Sequence, residues 1–320
     1  MIGNNLIRSL AVAAYVMALS ACDDKKPATQ EETKASAEQA EVQKYNEYVG
    51  AANMMQASYG EALASYKKYV QPAFEGKKED DSLFFSSSLS MGRIRESLDK
   101  ARAMKPDMAE LDAPALTYSE ALAKADPLYN DMANYIGAKT YISDKGAHGR
   151  YIQPAFLASM EALTTAQTGF VNAIDAKDRA RIKAEFESTE KDTIAYFRMG
   201  MIYHIKESMD FAGGVVNGKG FGDKKEPFKA SLDQFNTMAT SYEAKVRKQN
   251  KAGCPSLMLD INAYLSKGRE IIQRTENGTY DKDAKRPAQF RLMQSGESRD
   301  AATLLQNYNN VISALNSDKC

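Results

Sequence analysis

The sequence predicts an all-α fold, an elongated antiparallel helical bundle of about eight helices. Three observations predict it. Apolar residues recur in steps of three and four through most of the chain. No segment alternates strictly enough for a β-strand. Breaks carrying Pro, Gly or runs of charge separate the periodic stretches at helix-length intervals. The chain has 320 residues, 43% of them hydrophobic, which is enough for one large helical core or two smaller ones.

The bundle follows an N-terminal segment of a different kind. Arg8 precedes an apolar run from Leu10 to Leu19, and Leu19-Ser20-Ala21-Cys22 closes it. A membrane span needs ~20 apolar residues, so this run reads as a signal h-region. The small residues Ser20 and Ala21 suit a peptidase cleft, and the arrangement resembles a bacterial lipobox. Residues 1–21 are then a lipoprotein signal peptide, and Cys22 is the acylated first residue of the mature chain. A diacylglycerol and an N-acyl chain bury many CH2 groups at ~0.8 kcal/mol each, giving a stable membrane anchor. Asp23 and Asp24 resemble the retention signal of inner-membrane lipoproteins, which favours the periplasmic face of the inner membrane, with the outer membrane as the alternative. Residues 22–36 read as the acylated Cys plus a flexible tether of ~20 Å mean reach, and 37–320 as the helical domain.

The chain carries 42 basic and 42 acidic residues, and loss of Arg8 with the signal leaves it near neutral. That balance makes no case for nucleic acid. With Cys22 lipidated, Cys254 and Cys320 remain as a candidate disulfide in an oxidising compartment. No CxxC motif is present.

The first helix is marked by Val42, Tyr45, Val49, Ala52, Gln56, Tyr59, Leu63, Tyr66 and Val70, a Tyr-rich heptad seam ~42 Å long. It suits a long helix packed on its neighbour. A self-associating coiled coil and a Tyr-lined groove are the sharper alternatives. Pro72 ends it. A second helix starts near Ser82 and stops before Pro106. Asp112 and Pro114 open a third, striped by Tyr118, Leu122, Ala125, Tyr129, Met132 and Ile136; at Asp126-Pro127 it either kinks or stops and restarts. The fourth runs from near Pro154 to about Ile174, with a turn at Asp175–Asp178, and the fifth continues to Ala212. Gly213-Gly214 stops it, and a Gly-rich loop follows. Pro227 opens the sixth helix and Pro255 the seventh, with Gly253 suited to a cap. The last carries Leu304, Leu305, Tyr308, Val311, Ile312 and Leu315. Cys254 falls in the turn between the sixth and seventh, and a returning last helix would bring Cys320 beside it, a closure worth ~4 kcal/mol. Tyr69-Val70-Gln71-Pro72-Ala73-Phe74 echoes Tyr151-Ile152-Gln153-Pro154-Ala155-Phe156, a candidate trace of duplication.

Chemistry is sparse. His204 and Glu207 share a face of the fifth helix at i,i+3, a candidate metal contribution. The spacing resembles the GxHxxE motif of imelysin-like iron-associated proteins, with Ile202 where that motif has Gly. An i,i+3 charge partnership is the plainer reading. His148, in a Gly-flanked loop, reads as solvated. The loop at 217–222 lacks the preceding strand and the GK[ST] ending of a phosphate loop. No GxSxG or HExxH motif is present.

Read with the lipobox and Asp23-Asp24-Lys25, the stretch Lys44-Tyr45-Asn46-Glu47-Tyr48-Val49 leading to Asn53 resembles the opening of the YiiG-like lipoproteins, a bacterial family of unknown function. The resemblance implies a helical body and carries over no active-site residue, reaction or cofactor. The expected role is therefore a non-enzymatic, lipid-anchored, periplasm-facing protein that binds an envelope protein partner. The alternative is a periplasmic small-molecule or iron-type metal binder built on His204 and Glu207.

Overall fold

A computed structural model describes residues 30–54, 59–75, 83, 85, 91–285 and 295–317, with side chains from residue 37. Among these residues the regular structure is entirely helical. Nine helices have eleven residues or more: α1 (Gln30–Asn53), α2 (Tyr59–Tyr69), α4 (Met91–Ala103), α5 (Ala109–Gly137), α7 (Ala147–Ser188), α8 (Ile194–Phe211), α10 (Lys225–Gln249), α11 (Pro255–Glu276) and α13 (Gly296–Asn316). Four short ones join them: α3 (Gln71–Phe74), α6 (Thr140–Ser143), α9 (Gly213–Val216) and α12 (Thr279–Ala284). The all-α class stands, with more helices than the eight expected. Among the described residues no helix is long and apolar enough to cross a membrane.

The described residues form two compact units that divide between Lys177 and Asp178, inside α7. In the first unit α4 packs on α1 and α5, and a run of aromatic rings fills the core. Tyr48 of α1 and Tyr118 of α5 both meet Phe170 of α7, while Tyr66, Phe85, Tyr129 and Phe156 form a second cluster. Tyr48, Tyr59 and Tyr66 are buried here. The seam of the first predicted helix is therefore core within the unit rather than a Tyr-lined groove. That stretch is also two helices, α1 and α2, and its Gln56 lies outside the described residues. α1 begins at Gln30, within the segment read as tether.

In the second unit α10 packs on α8 and α11, and α13 on α11 and α8. These four helices enclose an apolar core that includes Ile205, Phe235, Ile261 and Leu304.

Helix bounds differ from those expected: α7 begins at Ala147 rather than near Pro154, and α5 at Ala109 rather than at Asp112. The tetrad at Asp175–Asp178 is helix, not turn. The buried stripe Phe170, Ile174, Asp178, Ile182 passes straight through it, and the polar groups have partners: Lys177 donates to Glu41 and Glu110, and Asp178 accepts from Lys206 and Arg181. The break comes instead before Thr193, whose side chain caps α8 by accepting from the Tyr196 amide. α5 runs unbroken through both Pro114 and Pro127, because Ala125, Tyr129 and Met132 keep one face buried around Pro127. The hexapeptide echo shares a burial pattern, with Val70, Phe74, Ile152 and Phe156 buried and Tyr69 and Tyr151 exposed. Its contexts differ, since Pro72 sits in a four-residue helix and Pro154 inside α7.

Candidate functional site

A solvent-open concavity lies between α10 and α11. The two helices meet through Leu232, Leu265 and Ile272, all buried. Gly268 permits the approach: a Cβ there would lie 2.8 Å from Leu232 Cδ1 and 3.3 Å from Phe228 Cζ. Above this floor a groove of about 750 Å3 opens to solvent. Two cross-helix ion pairs set the antiparallel register, Lys225–Glu276 at 3.0 Å and Arg269–Asp233 at 3.3 Å. They bracket Lys229, which lines the groove together with Gln273. Glu270, also on the wall, is held by Lys267 and Arg274. Lys229 has no ion pair among the described residues, and the side chains of Asn236, Asn262, Ser266 and Gln273 make no hydrogen bond among them. The groove thus presents carboxamides and a hydroxyl to solvent above a buried base, and its charges balance, since Lys225 is also 3.6 Å from Glu226. It holds no His or Cys.

His204 and Glu207 do come together on α8, Nδ1 to Oε2 at 3.2 Å. The imidazole is set edge-on against the rings of Phe186 and Tyr203. Glu207 also lines a cavity of about 230 Å3 between α7 and α8, beside Lys206 and Asp210. Those two are already engaged, Lys206 with Asp178 and Asp210 with Arg179. Among the described residues no group of three or more His, Cys, Asp or Glu side chains could hold a metal ion. The pair makes the i,i+3 contact that its spacing on one helix face allows.

His148 lies in the first turn of helix α7 rather than in a loop, and it is partnered rather than merely solvated. Its Nε2 lies 3.0 Å from Asp131 Oδ1, and its backbone N–H donates to Asp144 Oδ2 at 3.0 Å. Asp144 also accepts from the Tyr135 hydroxyl at 2.6 Å and the Gly146 amide at 2.9 Å. Burial and then the Asp144 hydrogen bond push the Tyr135 hydroxyl up to about 12. The loop after α9 is likewise structural: the Lys219 amide donates to the Gly214 carbonyl at 2.7 Å.

Cys254 caps the start of α11 and is buried, with its backbone N–H donating to Glu243 Oε2 at 2.9 Å. Cys22, Asp23, Asp24 and Cys320 lie outside the described residues.

A family model described as "Protein of unknown function (DUF3829)" matches residues 39–317. The chain belongs to this family. The DUF3829 match covers both compact units. The chain is also similar to the "Uncharacterized protein YiiG" of Escherichia coli (strain K12), with 20% identity over 98% of this chain and 99% of that protein. The likeness to YiiG is thus near full length, well beyond the opening of the first helix. No solved structure matches the chain.

The groove of α10 and α11 was not legible in the sequence. Its wall residues Asn262, Ser266, Arg269, Gln273 and Glu276 recur at steps of four and three, which is also the pattern of any solvated helix face.

Proposed function

We propose that this DUF3829 chain is a lipid-anchored, periplasm-facing protein that binds an envelope partner without transforming it. One structural observation supports the binding part: the groove between α10 and α11 opens about 750 Å3 to solvent and is walled by Asn236, Asn262, Ser266 and Gln273, whose side chains make no hydrogen bond among the described residues. The anchor rests on Leu19-Ser20-Ala21-Cys22, and Asp23 with Asp24 favours retention at the inner membrane over the outer. Cys254 and Cys320 form a disulfide in this reading, as an oxidising compartment permits.

Mass spectrometry of the membrane fraction tests the anchor. The expected N-terminal peptide begins at Cys22 and carries diacylglyceryl and N-acyl mass, and Cys22→Ser removes the modification and the membrane retention. An unmodified Cys22 on a product that keeps residues 1–21, or a soluble product free of acyl groups, overturns the reading. Thiol labelling of the denatured, unreduced protein tests the bridge, and labelling of Cys254 or Cys320 counts against it.

A further inference from the structure

We infer that the connection between α5 and α7, at one end of the first unit, docks on an anionic phospholipid surface, that of the bilayer holding the Cys22 anchor. The inference rests on the anchor reading above and names a second contact with the same bilayer.

Two lysines select the occupant. Lys139 and Lys145 flank α6 and lie in the left-handed region, at φ 54° and 55°. Glycine takes that conformation at less cost, so the backbone does not ask for lysine there. Nor does the packing: both side chains are exposed, and neither ammonium makes an ion pair or hydrogen bond among the described residues. Arg150, in the first turn of α7, is exposed too and donates to the Lys145 carbonyl. Between Asp131 and Glu161 these three cations stand against one carboxylate, Asp144. That carboxylate is engaged by its own turn, accepting from the Tyr135 hydroxyl and the amides of Gly146 and His148. Asp131 is met by His148 and Glu161 by Lys67. Lys68 and Glu75, at the ends of α2 and α3, offset each other and leave the positive excess unchanged.

Between the two lysines Ile142 is 59% exposed, and Tyr151 is 83% exposed on α7. An aliphatic side chain flanked by lysines suits the headgroup boundary, where the stem is buried and the ammonium meets phosphate. Tyrosine is enriched at the same depth. An acidic protein surface would meet the lysines but set Ile142 against charge.

Placement gives the contact its consequence. Glu41 of α1 bonds Lys177 of α7, Tyr48 meets Phe170, and Tyr66 of α2 meets Phe156. α1 and α2 therefore run antiparallel to α7, whose first residue lies ~45 Å from Lys177. Eight residues join Cys22 to Gln30, a reach of no more than ~29 Å, so the anchor holds the far end. Docking at Ile142 lays the unit along the bilayer, and the anchor makes that step intramolecular.

The test uses the full-length chain anchored in vesicles, with an environment-sensitive fluorophore on Ser143→Cys and spin-labelled lipid as quencher. The unsubstituted chain treated alike gives the background. In vesicles rich in phosphatidylglycerol the emission should shift to the blue and be quenched; in pure phosphatidylcholine it should do neither. Each lysine near an anionic surface adds ~5-fold, so Lys139→Gln with Lys145→Gln should lower the docked-to-free ratio ~25-fold. Lys139→Gly with Lys145→Gly should lower it as much without lowering the melting temperature, because glycine relieves both left-handed positions. No quenching in any vesicle, equal quenching in both lipids, quenching only from a second vesicle population added outside, or docking unaffected by the lysine variants overturns the inference. The anchor reading is judged separately: an unmodified Cys22 peptide sinks that reading, whereas an acylated chain without quenching sinks only this one.

Discussion

The ammonium of Lys44 is wholly buried and bonded to Asp112, 2.9 Å from Oδ2 and 2.8 Å from Oδ1, so that one charge pair ties α1 to the start of α5. Lys44 also donates to the Met104 carbonyl at 3.0 Å. Asp112 accepts in addition from the Tyr48 hydroxyl and from the Met108 amide that begins α5. Removing the carboxylate strands a buried cation. Asp112→Ala is expected to cost ~3–5 kcal/mol, while Lys44→Met with Asp112→Leu recovers most of the loss. Urea unfolding of the three variants measures it.

The same pair has a pH signature. Burial alone would raise the Asp112 carboxyl, but hydrogen bonds from Lys44, Tyr48 and Met108 outweigh it and hold it below the ordinary aspartate value of 3.8. A depressed carboxyl contributes stability above its unfolded pKa and loses it as pH falls through the folded one. Thermal melts should therefore fall away below about pH 4, and Asp112→Asn should flatten that part of the curve.

In the second unit Asp300 is buried between two cations and a phenol. Arg274 and the Tyr280 hydroxyl each donate to Oδ2 at 2.9 Å, and Lys267 to Oδ1 at 3.2 Å. Asp300→Ala should cost ~1–3 kcal/mol, because it leaves Lys267 and Arg274 with Glu270 alone and the Tyr280 hydroxyl without its acceptor. Tyr280→Phe removes one hydrogen bond to a charged group and should cost ~1.5–3 kcal/mol. Denaturant midpoints at constant slope check both.

Gly214 has no room for a side chain, since a Cβ would lie 2.2 Å from the Gly220 carbonyl oxygen. Neighbouring Gly213 has nothing within 4 Å. Gly214→Ala should destabilise by ~1–3 kcal/mol, whereas Gly213→Ala should be neutral or slightly stabilising. Paired melting temperatures distinguish the two.

For His204 and Glu207 the expected outcome is purified protein without stoichiometric metal and no thermal shift on adding Fe2+ or Zn2+. A shift lost in His204→Ala would instead establish the metal-binding alternative.

By itself the sequence determined the helical class and helix boundaries such as those at Gly213 and Pro255. These are local matters: a stripe of period 3.6 or a missing N–H at Pro255 acts within a few positions. The family likeness was legible for a similar reason, in a short run from Lys44 to Val49. Only the tertiary structure decided that Asp175–Asp178 stays helical, because the partners that satisfy Lys177 and Asp178 come from Glu41, Glu110 and Lys206, distant in the chain. It also decided that Tyr45, Tyr48, Tyr59 and Tyr66 are core, and that Lys229 and Gln273 line one groove. Neither fact has a local cause, since each depends on which helix face meets which, and that is set by burial across the whole unit.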